Sequence, residues 1–230
     1  MKNNYWTEFW NEHAKKSKND DEQVQVLRTS NKKPIDPKQW KFTLREIQRH
    51  LSIQDDDDVL DLCCGNGLLS QEIAPKCKSV TSVDVASDLV AKIDTKKHKN
   101  ISTHVKDIRE LSFANNSFSK IVLYAGIQYL TYRESVLLFE SANKWLRSGG
   151  IMFIGDIPDL EKKWSFYNNA DRERAYFDAV KNDKAIVGTW FTKQFLINLA
   201  NYSNYKIAKV IEQHKDMIYS HFRFDIQIEK

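Results

Sequence analysis

The chain has 230 residues, with 35 Lys and Arg against 31 Asp and Glu, for a net charge of +4. Hydrophobic residues at 41% and charged residues at 29% exclude a disordered polymer and suit a chain that buries a core without staples. The longest uncharged apolar stretch, residues 121–127, is far short of the ~20 residues of a membrane helix. The start, Met1-Lys-Asn-Asn-Tyr-Trp, has no apolar signal-peptide core. Cys63, Cys64 and Cys77 form neither a disulfide framework nor a paired zinc motif, so a cytoplasmic protein is expected. Basic residues are scattered among acids, as on a solvated surface rather than a nucleic-acid footprint.

Residues 4–17 are predicted to form a helix carrying Tyr5, Trp6, Phe9 and Trp10. Residues 23–33 read as a loose segment. Pro37 suits a first helical turn, and Trp40, Leu44, Ile47 and Leu51 then recur at helical spacing. From residue 57 short apolar runs alternate with helical stretches. Strands are predicted at 59–64, 79–85, 101–107, 118–125 and 151–156. Helices are predicted from Gly67 to about Cys77, at 87–97, and at 131–147, the last stopped by Gly149-Gly150. Residues 160–183 read as helical and 191–202 as a helix, and residues 205–212 and 219–229 as an antiparallel pair closing the sheet. This rhythm predicts a parallel sheet covered on both faces. Ligands then bind at the strand C-termini, near the switch in strand order. The acidic run 55–58 reads as a solvated loop, not a metal site.

The densest signal is Val59-Leu-Asp-Leu-Cys-Cys-Gly65-Asn66-Gly67. Gly65 and Gly67 sit where strand hands over to helix, and without a Cβ they let a ligand touch the backbone. The third glycine of a dinucleotide fingerprint is here Ser70, which argues against a nicotinamide enzyme. Asp61 lies inside the strand. A buried carboxylate is costly unless it receives hydrogen bonds from the glycine turn or meets a cationic ligand end. Asp84, followed by Val85, can accept both hydroxyls of a ribose. Asp107 can accept an amino N–H while the backbone N–H of Ile108 meets a ring nitrogen. Together these groups read a nucleoside.

With these residues the sequence resembles the class I S-adenosylmethionine-dependent methyltransferases, over roughly residues 55–157. Cys63 stands where the family motif has its first glycine. The resemblance extends to Asp84, to Asp107-Ile108, to Phe118-Ser-Lys-Ile-Val-Leu and to Leu146-Arg-Ser-Gly-Gly. It implies an α/β, Rossmann-like, seven-stranded, mostly parallel sheet with helices on both faces and a C-terminal antiparallel hairpin. The expected organisation is one methyltransferase domain: a helical cap (1–54), a cofactor-binding core (55–157), a substrate-side insert (158–190) and a terminal helix and hairpin (191–230). The implied cofactor is S-adenosyl-L-methionine, leaving as S-adenosyl-L-homocysteine. Its residues would be Asp61, Gly65, Asn66, Gly67, Asp84, Val85, Asp107, Ile108 and Tyr124, with Tyr124, Ala125 and Gly126 facing the methionine part.

By the same resemblance, Gln128 and Tyr129 lie beside the transferred methyl, and an N-terminal lid brings Tyr5 and Trp10. Arg28 can grip a carboxylate, phosphate or sugar acid, and Tyr167 belongs to the aromatic insert. His214, His221 and Tyr129 are the candidate catalytic groups, a base being needed only for an aliphatic hydroxyl. The expected acceptor is a small molecule, such as a sugar, a surface-glycan precursor or a secondary metabolite, and the segment 23–29 has the look of bacterial enzymes acting on these. A protein or RNA methyltransferase and a non-catalytic cofactor-binding member are the alternatives. The oligomeric state stays open.

Overall fold

The computed structural model describes residues 5–30 and 32–230; the expected helix start at residue 4 and Asn31 of the loose segment lie outside them. The N-terminal part holds α1 (Tyr5–Lys16), α2 (Glu22–Gln25), a ribbon of β1 (Thr29–Ser30) with β2 (Lys33–Pro34), and α3 (Pro37–Leu51). The described residues of the 23–33 segment are therefore not loose. Asp21 accepts the Gln23 N–H at 2.8 Å to start α2, and Asp36 accepts the Lys38 N–H at 2.7 Å with Pro37 in the first turn of α3.

The core follows as β3 (Asp58–Leu62), α4 (Ser70–Ile73), β4 (Ser79–Asp84), α5 (Ser87–Val90), β5 (Ile101–Val105), β6 (Phe118–Tyr124), α6 (Tyr132–Trp145) and β7 (Leu146–Pro158). Then come α7 (Lys163–Phe166), α8 (Ala170–Lys181), α9 (Lys193–Tyr202), β8 (Ile207–Glu212) and β9 (Arg223–Glu229). The seven-stranded sheet has the order β5-β4-β3-β6-β7-β9-β8. β5 through β7 pair in parallel, and β9 runs antiparallel between β7 and β8. The chain steps from β3 outward to β5, then returns to β6 on the other side of β3. That reversal opens the crevice between β3 and β6.

The pleat divides the core. Val59 packs with Leu44, Ile47 and Leu51 of α3 and with Val80, Val122 and Phe153 on one face. Leu60, Leu62, Ile121 and Leu123 meet Leu138, Phe139 and Ala142 of α6 and Leu196 and Leu199 of α9 on the other. Each fully buried Leu, Ile or Phe contributes about 1.5–3 kcal/mol.

Several elements depart from expectation for local reasons. α4 stops at Ile73 and tightens into a 3-10 turn, Ala74–Lys76, where Pro75 brings no N–H. α5 ends at Val90, because Ile93 turns inward onto Gly67 and the Asp94 side chain takes the Lys97 N–H at 2.9 Å. Residues 160–183 break at Asn168-Asn169, where Asn169 caps α8 through the Arg172 N–H at 3.0 Å. β7 starts at Leu146, so Gly149-Gly150 lies within the strand rather than beyond a helix. The peptides of that glycine turn bond to Lys230 at the C-terminal end. The terminal strands are trimmed to β8 and β9, and residues 219–222 form a turn. In the acidic run, Asp57 and Asp58 are not solvated. Asp57 accepts the Gln54 N–H at 2.7 Å, and Asp58 binds Ser79 Oγ at 2.6 Å and Arg147 at 2.6 Å, tying β3 to β4 and β7.

α6 carries a complete capping box: Thr131 Oγ1 accepts the Glu134 N–H, and Glu134 accepts the Thr131 N–H at 2.7 Å. Thr131→Ala should therefore cost about 1 kcal/mol and lower the melting temperature by roughly 2–4 °C in scanning calorimetry.

Candidate active site

The C-terminal ends of β3, β4, β6 and β7 open into a cavity of about 370 Å³. α1, residues 26–28 and parts of the 160–190 segment cover it. Asp84 closes β4, nearly buried, with Oδ2 on the Gly65 N–H and Oδ1 on the Ala86 N–H, both at 2.9 Å. Each oxygen keeps a lone pair, so the carboxylate can also receive two hydroxyls. Burial pushes its pKa up, while the N–H groups of Ala86 and Gly65 pull it down. Asp61, 2% exposed, accepts from Ser70 Oγ at 2.5 Å and has no ion-pair partner among the described residues. The glycine turn does not serve it, because the Gly65 N–H goes to Asp84. Burial, and more weakly the charge of Asp84, pushes Asp61 up to about 7.

The glycines make room chiefly for the chain itself. A Cβ on Gly65 would meet Val26 Cγ1 at 2.8 Å, and one on Gly67 would meet Ile93 Cγ1 at 2.6 Å. Gly65 still lines the cavity, while Gly67 does not, since Ile93 covers it. Cys63 holds the family's glycine position in the left-handed conformation, at φ +57°. A Cβ on Gly126 would lie 2.9 Å from both Cys63 Cβ and Sγ, so Gly126 opens the space that Cys63 fills. Burial, then Asp84, holds the Cys63 thiol well above its ordinary pKa and protonated.

Asn66 fastens the cap. Its Nδ2 donates to Glu22 O at 2.8 Å and to Gln25 Oε1 at 3.1 Å, and its Oδ1 is buried without a partner among the described residues. Trp6 and Trp10 of α1 lie 4.8 and 5.7 Å from the Tyr129 ring. Asp107 is held by Arg109, through Nε at 2.8 Å and Nη2 at 2.5 Å, and by Thr7 Oγ1 of α1 at 3.1 Å. Burial raises the Asp107 pKa, but the Arg109 and Thr7 bonds bring it below the usual carboxylate range. Arg109 reaches on to Glu134 at 3.3 Å.

At the end of β7, Arg28 Nη1 donates to Asp156 Oδ2 at 2.8 Å, and its guanidinium lies 4.3 Å from the Tyr124 ring centroid. Arg223 Nη1 donates to the Asp156 backbone carbonyl at 2.5 Å. Burial works against the charge on Asp156, but Arg223 and Arg28 hold its pKa below the ordinary value. Asp225 accepts the Asp156 N–H and Gln213 Nε2, each at 2.7 Å, and burial pushes it up to about 7.

Of the expected residues, Asp61, Gly65, Asn66, Asp84, Val85, Asp107, Ile108, Tyr124, Trp10, Arg28, Gln128 and Tyr129 line this one cavity. Besides Gly67 and Gly126, four expected residues do not. Tyr5 turns its ring to Trp6 at 4.9 Å. Tyr167 is buried with Trp190 behind the wall, and Phe166 and Phe222 face the cavity instead. His214 is exposed, its ring 4.9 Å from Phe42 of α3. His221 is exposed beside Phe222. Neither histidine reaches the cavity, because the loop from β8 to β9 carries both on its outer side. Burial pushes the Tyr129 phenol far up, so it is no base at neutral pH. The sequence reading missed Asp156, Arg223 and Arg109. Asp156 had a signal, since it ends an apolar strand as Asp84 does.

This sheet order, with a glycine turn after the central strand and acids closing its neighbours, defines a Rossmann-like α/β domain. Residues 59–150 match the family described as "Methyltransferase domain". An uncharacterised methyltransferase of Schizosaccharomyces pombe is 27% identical over 162 residues, covering 66% of this chain and 55% of that protein. The chain spans between 3% and 55% of the length of the curated relatives it matches. Among solved structures, N-methyltransferase NodS of Bradyrhizobium japonicum, in complex with S-adenosyl-L-homocysteine, aligns with TM-score 0.64 at 15% identity, over 96% of this chain and 98% of that one. Phosphoethanolamine N-methyltransferase 1 of Haemonchus contortus aligns with TM-score 0.69 at 15% identity, over 100% of this chain and 50% of that one. Residues 59–150 thus resemble a methyltransferase domain, and the fold as a whole is similar to that of solved S-adenosylmethionine-dependent methyltransferases.

Two outcomes follow from this geometry. Gly126→Ala should cost about 1–3 kcal/mol, and adding Cys63→Gly should recover part of it, because the new methyl meets Cys63. Thermal unfolding of the four chains checks this, and strict additivity would refute it. Asp61→Asn should melt higher than the parent at pH 8, with the difference vanishing toward pH 4. The raised pKa of Asp61 makes the folded state hold its proton, so the parent alone loses stability as pH rises through about 7.

Proposed function

We propose that the protein transfers the methyl group of S-adenosylmethionine to a small-molecule acceptor at the C-terminal edge of its sheet. The observation that carries this reading is a pair of buried carboxylates at one glycine turn. Asp84 has two lone pairs to spare, and Asp61 has no cation beside it among the described residues. They match the two polar ends of the cofactor: Asp84 takes the ribose diol, and Asp61 faces the ammonium of the methionine part. Val85 and Ile108 line the base side, where Asp107 must share its oxygens with Arg109.

When bound, the cofactor supplies an activated methyl on a sulfonium. The chain supplies alignment, which can be worth about 7–11 kcal/mol of barrier. The Trp10 and Tyr129 faces offer the sulfonium about 0.5–2 kcal/mol of cation–π attraction. α1 and residues 26–28 exclude water. No histidine lines the cavity and Asp156 is held between two guanidiniums, so the favoured acceptor atom is one that needs no strong base: an amine nitrogen or a carboxylate oxygen. Two structural relatives are N-methyltransferases, in keeping with nitrogen.

Calorimetric titration with S-adenosylhomocysteine should give micromolar binding, weakened roughly ten- to a hundredfold by Asp84→Asn, or about 1–3 kcal/mol. No binding to the parent chain would overturn the reading; binding without methyl transfer to any metabolite fraction would favour a non-catalytic member. Affinity should also rise from pH 6 to pH 8. The ligand's ammonium needs Asp61 ionised, so binding near pH 6 releases a proton, and Asp61→Asn abolishes that release.

A further inference from the structure

Beyond the cofactor, the far wall of the cavity carries an imbalance of charge. Arg28 and Arg223 both line it, at 7% and 8% exposure. The one firmly ionised carboxylate between them is Asp156, whose Oδ2 lies 2.8 Å from Arg28 and 3.7 Å from Arg223. Asp225 stands behind Asp156 on its backbone N–H, does not line the cavity, and is drawn toward its neutral form by burial. The remaining titratable groups near the two guanidiniums are Tyr124, Tyr129 and Tyr219, all phenols that burial keeps protonated. Two guanidiniums against one carboxylate leave one positive charge uncompensated.

Their hydrogen-bond donors are also underused. Within the described residues, Arg28 donates through Nη1, while its Nε and Nη2 make no hydrogen bond. Arg223 donates through Nη1, and its Nε is buried with no partner among the described residues. Both guanidiniums are held by ring faces, Arg28 at 4.3 Å from Tyr124 and Arg223 at 5.6 Å from Tyr219, which fixes them without consuming N–H groups. A fork of fixed N–H donors is the arrangement that receives an oxyanion. On the same wall Gln128 donates through Nε2 to Ala125 O at 2.8 Å, and its Oε1 is buried without a partner among the described residues. It is placed to accept an N–H from the same molecule.

We propose that the acceptor is a small molecule bearing a singly charged oxyanion, a carboxylate or a phosphate ester, held by Arg28 and Arg223, with an N–H group offered to Gln128. This assignment rests on the methyltransferase reading and names its substrate class. The test uses the full chain saturated with S-adenosylhomocysteine near pH 6. Sodium acetate or inorganic phosphate is titrated against chloride at constant ionic strength and followed by calorimetry. The parent should bind one of them in the millimolar range, and Arg223→Gln should weaken that binding at least tenfold while the S-adenosylhomocysteine affinity moves less than twofold. Tighter acetate assigns a carboxylate, and tighter phosphate a phosphate ester. Should Arg223→Gln not fold, Arg223→Lys answers: it keeps the charge, loses the fork, and should bind the anion at least threefold more weakly. Absence of anion binding to the loaded parent, or equal binding in the folded variant, overturns the proposal alone. Failure of S-adenosylhomocysteine to bind overturns the methyltransferase reading and this proposal with it.

Discussion

The buried ion pair of Arg28 and Asp156 joins two parts of the chain that lie 128 residues apart. Each charge alone would be costly in the interior, and removing one partner of such a pair typically costs about 3–5 kcal/mol. The pair therefore sets a condition on everything around it. Residues 22–28 must lie across the strand edge, which Asn66 secures by binding Glu22 O and Gln25. Val26 can then enter the space over Gly65, and Tyr124 can support the Arg28 guanidinium from below. With this segment down, α1 follows, packing Ala14 and Trp10 on Ala86 and Leu89 and closing the cavity. The lid is thus built from charge pairing as much as from apolar burial.

Four strands carry an aspartate at or near their C-terminal ends, and each meets a different environment. Asp84 is held by peptide N–H groups, Asp107 by Arg109, Asp156 by two arginines, and Asp61 by a serine hydroxyl. Burial acts on all four in the same direction, toward the neutral form. The partners decide the outcome: Asp107 and Asp156 are held firmly ionised, while Asp61 rises to about 7. One sheet edge thereby offers one end whose carboxylates are open to positive charge and hydroxyls, and another with positive charge to spare.

Cys63 shows how a departure from a family motif is absorbed. A side chain in the left-handed region costs roughly 1 kcal/mol. Gly126, at the end of the neighbouring strand β6, provides the room. Two positions distant in sequence act as one site, a coupling that the motif read alone does not reveal.

The sequence by itself determined the alternation of strands and helices, the glycine turn, and the acids Asp61 and Asp84 at the sheet edge. These rest on local periodicity and on residue types that few backbone geometries accept, so they are legible within a short window. It also marked Gln128 and Tyr129, which follow the end of β6, and Trp10 and Arg28, which reach the same edge only through the fold. Tertiary structure alone decided the rest. Ile93 covers Gly67, Thr7 of α1 binds Asp107, Tyr167 lies behind the wall, and His214 and His221 stay outside. Arg223 and Asp156 meet only because β9 inserts antiparallel beside β7. A residue's type and its local period say what it can bond. Which partner it meets depends on how distant segments pack, and charges, having no period, leave that choice unwritten in the sequence.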